Sequence, residues 1–113
     1  MIWHIQYSPL AEADIEDIYD YIAAVLLAPE AAADQTLRII KAINSLSKMP
    51  MRYRLYDHEP WDKLGVRIMP VDRYVVLYLA EGRNAIVRVL RILYGARDLP
   101  SQLNELCFLM EEG

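Results

Sequence analysis

Six arginines fall between Val66 and Asp98: Arg67, Arg73, Arg83, Arg88, Arg91 and Arg97. A guanidinium stays charged at neutral pH and presents a planar fork of donors that matches carboxylate and phosphate oxygens. One arginine on a strand is ordinarily a solubilising device against edge-to-edge pairing. Six in one sheet region exceed that need. Arg67, Arg73, Arg91 and Arg97 stand at or near predicted strand ends, where they can converge on an anionic surface. Tyr94, at the end of the last predicted strand, can stack on a base or donate a proton; its plainer role is a half-buried strand aromatic. By strand parity Arg88 and Arg91 point to opposite faces and cannot serve one site.

The other chemistry-bearing groups do not assemble into a site. Glu12, Glu16 and Asp20 repeat at i, i+4 on one helix face with Asp14 and Asp17 beside them, the pattern of a solvated acidic face. His4, His58 and Cys107 show no metal-ligand spacing, and the four glycines form no phosphate loop. No serine sits in a nucleophile elbow. The expectation is a protein that uses neither metal nor cofactor.

The arginine block needs a sheet to hold it. Val75, Leu77 and Leu79 alternate with Tyr74, Val76 and Tyr78, which predicts a strand; within Val66 to Asp98 a short strand precedes it and a longer one follows it, closed by Gly95-Ala96-Arg97-Asp98. Glu81-Gly82-Arg83-Asn84 supplies the hairpin turn, with Gly82 and Asn84 both able to take positive φ. Ile2 to Tyr7 alternates as a first strand. Ser8-Pro9 then opens a helix, with Ala11, Ile15, Ile18, Ile22, Val25 and Leu26 as its apolar stripe. Ala28-Pro29-Glu30 restarts a second helix to about Lys48, with Thr36, Ile39, Ile40, Ile43 and Leu46 inside, and Met49-Pro50 ends it. Residues 50–64 read as a loop, and Gln102 to Glu111 as a short apolar helix in the tail, residues 100–113. The fold class is α+β, in β-α-α-β-β-β order, with the helical hairpin packed on a mostly antiparallel sheet.

Gross numbers agree with this. A chain of 113 residues is one domain, here residues 1–113, and 55% hydrophobic with 25% charged residues is ordinary globular composition. The net charge of −4 argues against a general nucleic-acid binder, but its distribution is uneven. Residues 1–50 carry three bases and seven acids, residues 51–99 nine bases and six acids, and the last fourteen residues three acids alone. The single cysteine favours a reducing compartment. No basic start precedes a long apolar run, and Glu81, Gly82, Arg83 and Arg88 break the most apolar stretch, so a cytoplasmic protein without a membrane span is expected.

AEADIEDIYDYIA (11–23), PEAA (29–32), GVR (65–67), DRYVVLY (72–78) and VRVLRILYGARD (87–98) together resemble the RelE/ParE superfamily of type II toxin–antitoxin toxins, the plasmid stabilisation family. The resemblance spans about residues 2–99. It implies a growth-inhibiting toxin neutralised by a cognate antitoxin, as a homodimer or a heterotetramer. Two activities occur in the superfamily. RelE-like members cleave mRNA on the ribosome without a metal, and ParE-like members poison DNA gyrase; outside both stands the alternative, consistent with the net acidity, of a protein-binding module with no toxic action.

For a nuclease, the resemblance makes Arg67 and Arg97 the charge-stabilising residues and Tyr94 the acid. Positive charge must meet the pentavalent phosphate, and a proton must reach the leaving 5′ oxygen. As target- or antitoxin-binding residues it implies Arg67, Arg73, Arg91 and Arg97. Three departures favour the ParE-like side. Val75 follows Tyr74 where most members have arginine, Tyr94 replaces a common histidine, and Leu103 stands near where RelE-like toxins place a tyrosine.

Overall fold

The computed structural model describes residues 2–95. Strand β1, His4–Tyr7, leads into helix α1, Pro9–Asp20, which runs on as a π-helical turn over Tyr21–Val25. Ser8 caps α1 by accepting the Ala11 amide at 3.0 Å, and Pro9 occupies the first turn, where a missing N–H costs nothing. Pro29 opens helix α2, Pro29–Asn44, which tightens into a 3-10 turn at Ser45–Ser47. Arg52 closes that end, donating to the carbonyls of Lys48 at 2.7 Å and Ser45 at 3.3 Å. A one-turn helix α3, Trp61–Leu64, precedes β2 (Arg67–Val71), β3 (Tyr74–Glu81) and β4 (Ile86–Tyr94).

The four strands lie in the order β1-β4-β3-β2. β1 is parallel to β4, and the other two pairings are antiparallel. The α1–α2 hairpin covers one face. Ala11, Ile39, Ile43 and Leu46 pack there on Met69, Val76, Tyr78, Val87, Val89 and Ile92, which is the main core. The expected α+β class, element order and stripe of α2 are all present.

Four details differ from the sequence expectations. Residues 50–64 are no open loop. Tyr56 and Trp61 are buried on the sheet's other face against Val66, Ile68, Leu77, Leu90 and Leu93, so this segment seals a second core. Val25 and Leu26 leave the stripe of the first helix. The π turn adds a residue to the repeat, and the two side chains are 64% and 55% exposed. The β3–β4 turn takes its positive φ at Ala85, not at Gly82 or Asn84. Finally, β4 holds a bulge at Leu90, so Arg88 lies opposite Leu79 and Arg91 opposite Leu77, and simple parity fails beyond Val89. The tail assigned to residues 100–113 lies outside the described residues.

Candidate functional site

β1 ends opposite Val89, leaving the far half of β4 without a neighbour on that side. The start of α1 replaces it group by group. The Ser8 amide donates to the Val89 carbonyl at 2.9 Å, and the Ser8 hydroxyl donates to the Leu90 carbonyl at 2.8 Å. Six residues on, Asp14 Oδ2 accepts the Ile92 amide at 2.8 Å. The same carboxylate takes both arms of Arg91, Nε to Oδ2 and Nη2 to Oδ1, each at 2.8 Å. The two side chains are only 12% and 10% exposed. Asp14 thus closes a strand edge and neutralises a guanidinium at once.

Beyond this pair a groove of about 1220 Å³ opens between the helical hairpin and the end of the sheet. Small-molecule sites run to roughly 300–1,000 Å³, so this space suits a chain segment better. Tyr21 and Leu26 line one side, Leu37, Arg38 and Lys41 of α2 another, and Arg73, Tyr74 and Tyr94 the sheet end. Tyr74 and Tyr94 meet edge to face with centroids 5.8 Å apart. Burial pushes the Tyr74 phenol up, the neighbouring Tyr94 and Tyr21 add to this, and Arg73 opposes it. The turn between β2 and β3 is latched to α2, since Asp72 accepts Gln35 at 3.0 Å and pairs with Arg38 at 3.2 Å. Among the described residues neither Lys41 nor Arg73 is in an ion pair. The lining combines apolar and aromatic side chains with charged ones.

Residues 5–99 match the ParE toxin of type II toxin–antitoxin systems, parDE. The chain belongs to the ParE toxin family. No curated protein matches it significantly. Among solved structures it is similar to the chromosomal ParDE toxin–antitoxin system from P. aeruginosa. There the identity is 23%, the TM-score 0.67, and 82% of this chain covers 96% of that one. The toxin–antitoxin complex RelBE2 from Mycobacterium tuberculosis aligns at 18% identity and TM-score 0.59, with 83% of this chain covering 99% of that chain. A mutant of the E. coli toxin RelE in the free state aligns at 10% identity and TM-score 0.58, over 85% and 86% of the two chains. At these identities the likeness establishes a shared fold.

On this ParE-family body the arginines named from sequence separate into two groups. Arg73, Arg91 and Tyr94 come together at the groove. Arg67 does not: its guanidinium donates to the Tyr53 carbonyl at 2.7 Å and the Met51 carbonyl at 3.3 Å, fastening the segment before α3 to β2. Arg88 pairs with Glu81 at 3.0 Å, and Arg97 lies outside the described residues. The sequence reading missed Arg38, Lys41 and Leu37. Leu37 was the available signal, being an apolar residue off the buried stripe of α2 with two cations close behind it. No helix among the described residues is long and apolar enough to cross a membrane.

Proposed function

We propose that this protein is the toxin of a type II toxin–antitoxin pair that arrests growth by binding DNA gyrase and is silenced by a cognate antitoxin seated in the groove. One observation carries the choice of a binding toxin over a nuclease. Arg67, a charge candidate for RNA cleavage, is tied to backbone carbonyls and does not line the groove that holds Tyr94. Arg91 is there but is paired with Asp14. Phosphoryl chemistry needs an acid and positive charge converging on one phosphate. A groove with aromatic walls and a charged rim binds a protein segment by apolar anchors and orients it by charge.

The test has two arms. The chain is expressed in bacteria with and without the neighbouring small open reading frame, and the purified protein enters a gyrase supercoiling assay and a ribosome-programmed mRNA cleavage assay. Growth arrest relieved by the neighbour, with gyrase inhibited and mRNA intact, is expected. Ribosome-dependent cuts lost in Arg67→Ala would replace gyrase by mRNA as the target. Unaffected growth at good soluble expression would sink the toxin reading altogether.

A further inference from the structure

The chain leaves α2 through a clamped turn. The Arg52 guanidinium donates to the carbonyls of Ser45, Lys48 and Met49 and to the Ser45 hydroxyl, four bonds of 2.7–3.3 Å. Met49 takes a φ of 51°, a left-handed conformation that disfavours any side chain and is ordinarily left to glycine or asparagine. Its side chain gains little inside its own fold in return, being 75% exposed, and Met51 is 51% exposed. A strained backbone that holds an apolar side chain out in solvent points to a contact surface.

Charge is segregated around that turn. Residues 38–56 hold five bases and no acid, whereas residues 1–37 hold seven acids and neither lysine nor arginine. Lys48 and Arg54 flank the two methionines in sequence, and among the described residues neither is in an ion pair. An apolar pair between unpaired cations fits an apolar cleft edged with acids. The same molecule carries one. Between α1 and α2 lies a groove of about 390 Å³, lined by Ile15, Tyr19, Thr36 and Ile40 together with Glu16 and Asp20. The Thr36 hydroxyl is bonded to the Ala32 carbonyl at 2.8 Å, and neither carboxylate is in an ion pair among the described residues. This groove shares no residue with the larger one, and neither methionine lines it in its own molecule.

We propose that Met49 and Met51 of one molecule seat in the α1–α2 groove of a second copy, with Lys48 and Arg54 answering its Glu16 and Asp20. The two patches differ and lie at different places, so the contact is heterologous. Each molecule offers one turn and one groove, and copies join head to tail. Two methionines and four charges make a small interface, so the association is weak, reversible and sensitive to salt. It uses neither the larger groove nor an antitoxin, and stands or falls apart from the function proposed above.

Sedimentation velocity of the full-length chain, from micromolar to millimolar concentration, reads this directly. Two variants each remove one half of the contact: Met49→Gly/Met51→Ser the turn, and Glu16→Lys/Asp20→Lys the groove. All four positions are exposed and glycine suits the left-handed φ, so both variants should fold, which thermal unfolding checks. The native chain is expected to grow past a pair as concentration rises, and each variant alone to associate at least about tenfold more weakly. Mixed, the variants should form a one-to-one pair and nothing larger. The intact turn of the groove variant then meets the intact groove of the turn variant, while the reverse contact is lost. A native chain that stays monomeric throughout overturns the proposal. So does association that either variant leaves unchanged, or a mixture that associates no better than its parts.

Discussion

Asp14 and Arg91, 77 residues apart, are joined by two parallel hydrogen bonds of 2.8 Å, and the same carboxylate holds the Ile92 amide at 2.8 Å. One side chain from the acidic helix therefore does three jobs at the place where β4 outruns β1. It satisfies a strand edge, neutralises a largely buried arginine of the sheet and fixes α1 to the groove wall. The remaining acids of that helix, Glu12, Glu16, Asp17 and Asp20, are exposed or partly so, which is the solvated face the spacing suggested.

This arrangement makes the two partners unequal. Asp14→Ala takes the bidentate carboxylate from a largely buried guanidinium and removes the acceptor of the Ile92 amide, and is expected to cost about 3–5 kcal/mol. Arg91→Ala leaves a carboxylate that still accepts the amide, so it costs less. Asp14→Asn keeps one acceptor and falls between. Urea unfolding of the three variants checks the order; equal losses for Asp14→Ala and Arg91→Ala would show that the amide contact contributes nothing.

A second prediction concerns alkaline pH. The Tyr78 hydroxyl is buried in the main core and donates to the Pro50 carbonyl at 2.6 Å. Burial pushes its phenol from 10.0 to about 12, with Arg67 and Arg52 opposing the rise. The folded state therefore holds this proton more tightly than the unfolded chain. Its contribution is complete below pH 10 and is lost as pH climbs towards 12, because unfolding then releases a proton. Stability measured by urea at a series of pH values should fall over this window, and Tyr78→Phe should flatten part of the fall.

How much of this was legible in the sequence depends on how local each cause is. Ser8-Pro9, the proline that opens α2 and the alternation of Tyr74–Leu79 act within one turn or one strand, and the elements appear where these signals put them. The Leu90 bulge depends on how β4 meets β1 and β3, and no residue type announces it; with it the parity argument for Arg88 and Arg91 failed. Asp14 looked like one more solvated acid because its partner is 77 residues away. Trp61 and Tyr56 sat among prolines and acids that read as a loop, yet two large aromatics are what a second core needs. Of the groove lining, the sheet contributions Arg73, Arg91 and Tyr94 could be named. The α2 contributions could not, since the charged side of an amphipathic helix carries no mark of what lies across from it.

Arg67 and Arg73 should behave in opposite ways. Arg67 is bonded to the Tyr53 and Met51 carbonyls, so Arg67→Ala is expected to cost about 1–3 kcal/mol of stability. Arg73 is an exposed groove residue at a turn, and Arg73→Ala should leave the unfolding midpoint within about 0.5 kcal/mol of the parent while weakening partner binding. Thermal unfolding beside a binding titration separates them. A stable Arg67→Ala protein that has lost its toxicity would place Arg67 in a functional surface after all.

The last prediction divides the groove into anchors and steering charges. Tyr94 stands on the end of β4 in edge-to-face contact with Tyr74, so an antitoxin segment docked as proposed would bury it at little further ordering cost. Removing such an aromatic anchor typically costs about 2 kcal/mol, which is on the order of a 30-fold faster dissociation. Lys41 and Arg73 line the groove with no ion-pair partner among the described residues, and are expected to act on the approach of an acidic segment rather than on its residence. Their substitution by glutamine should slow association several-fold at low salt and leave dissociation nearly unchanged. Raising the salt should erase the difference, because charges separated by more than about 8 Å are screened at 0.15 M. Surface-plasmon kinetics with the cognate antitoxin at two ionic strengths measures both rates. Should Tyr94→Ala change only association, or Lys41→Gln only dissociation, the anchors and the steering charges have been assigned the wrong way round.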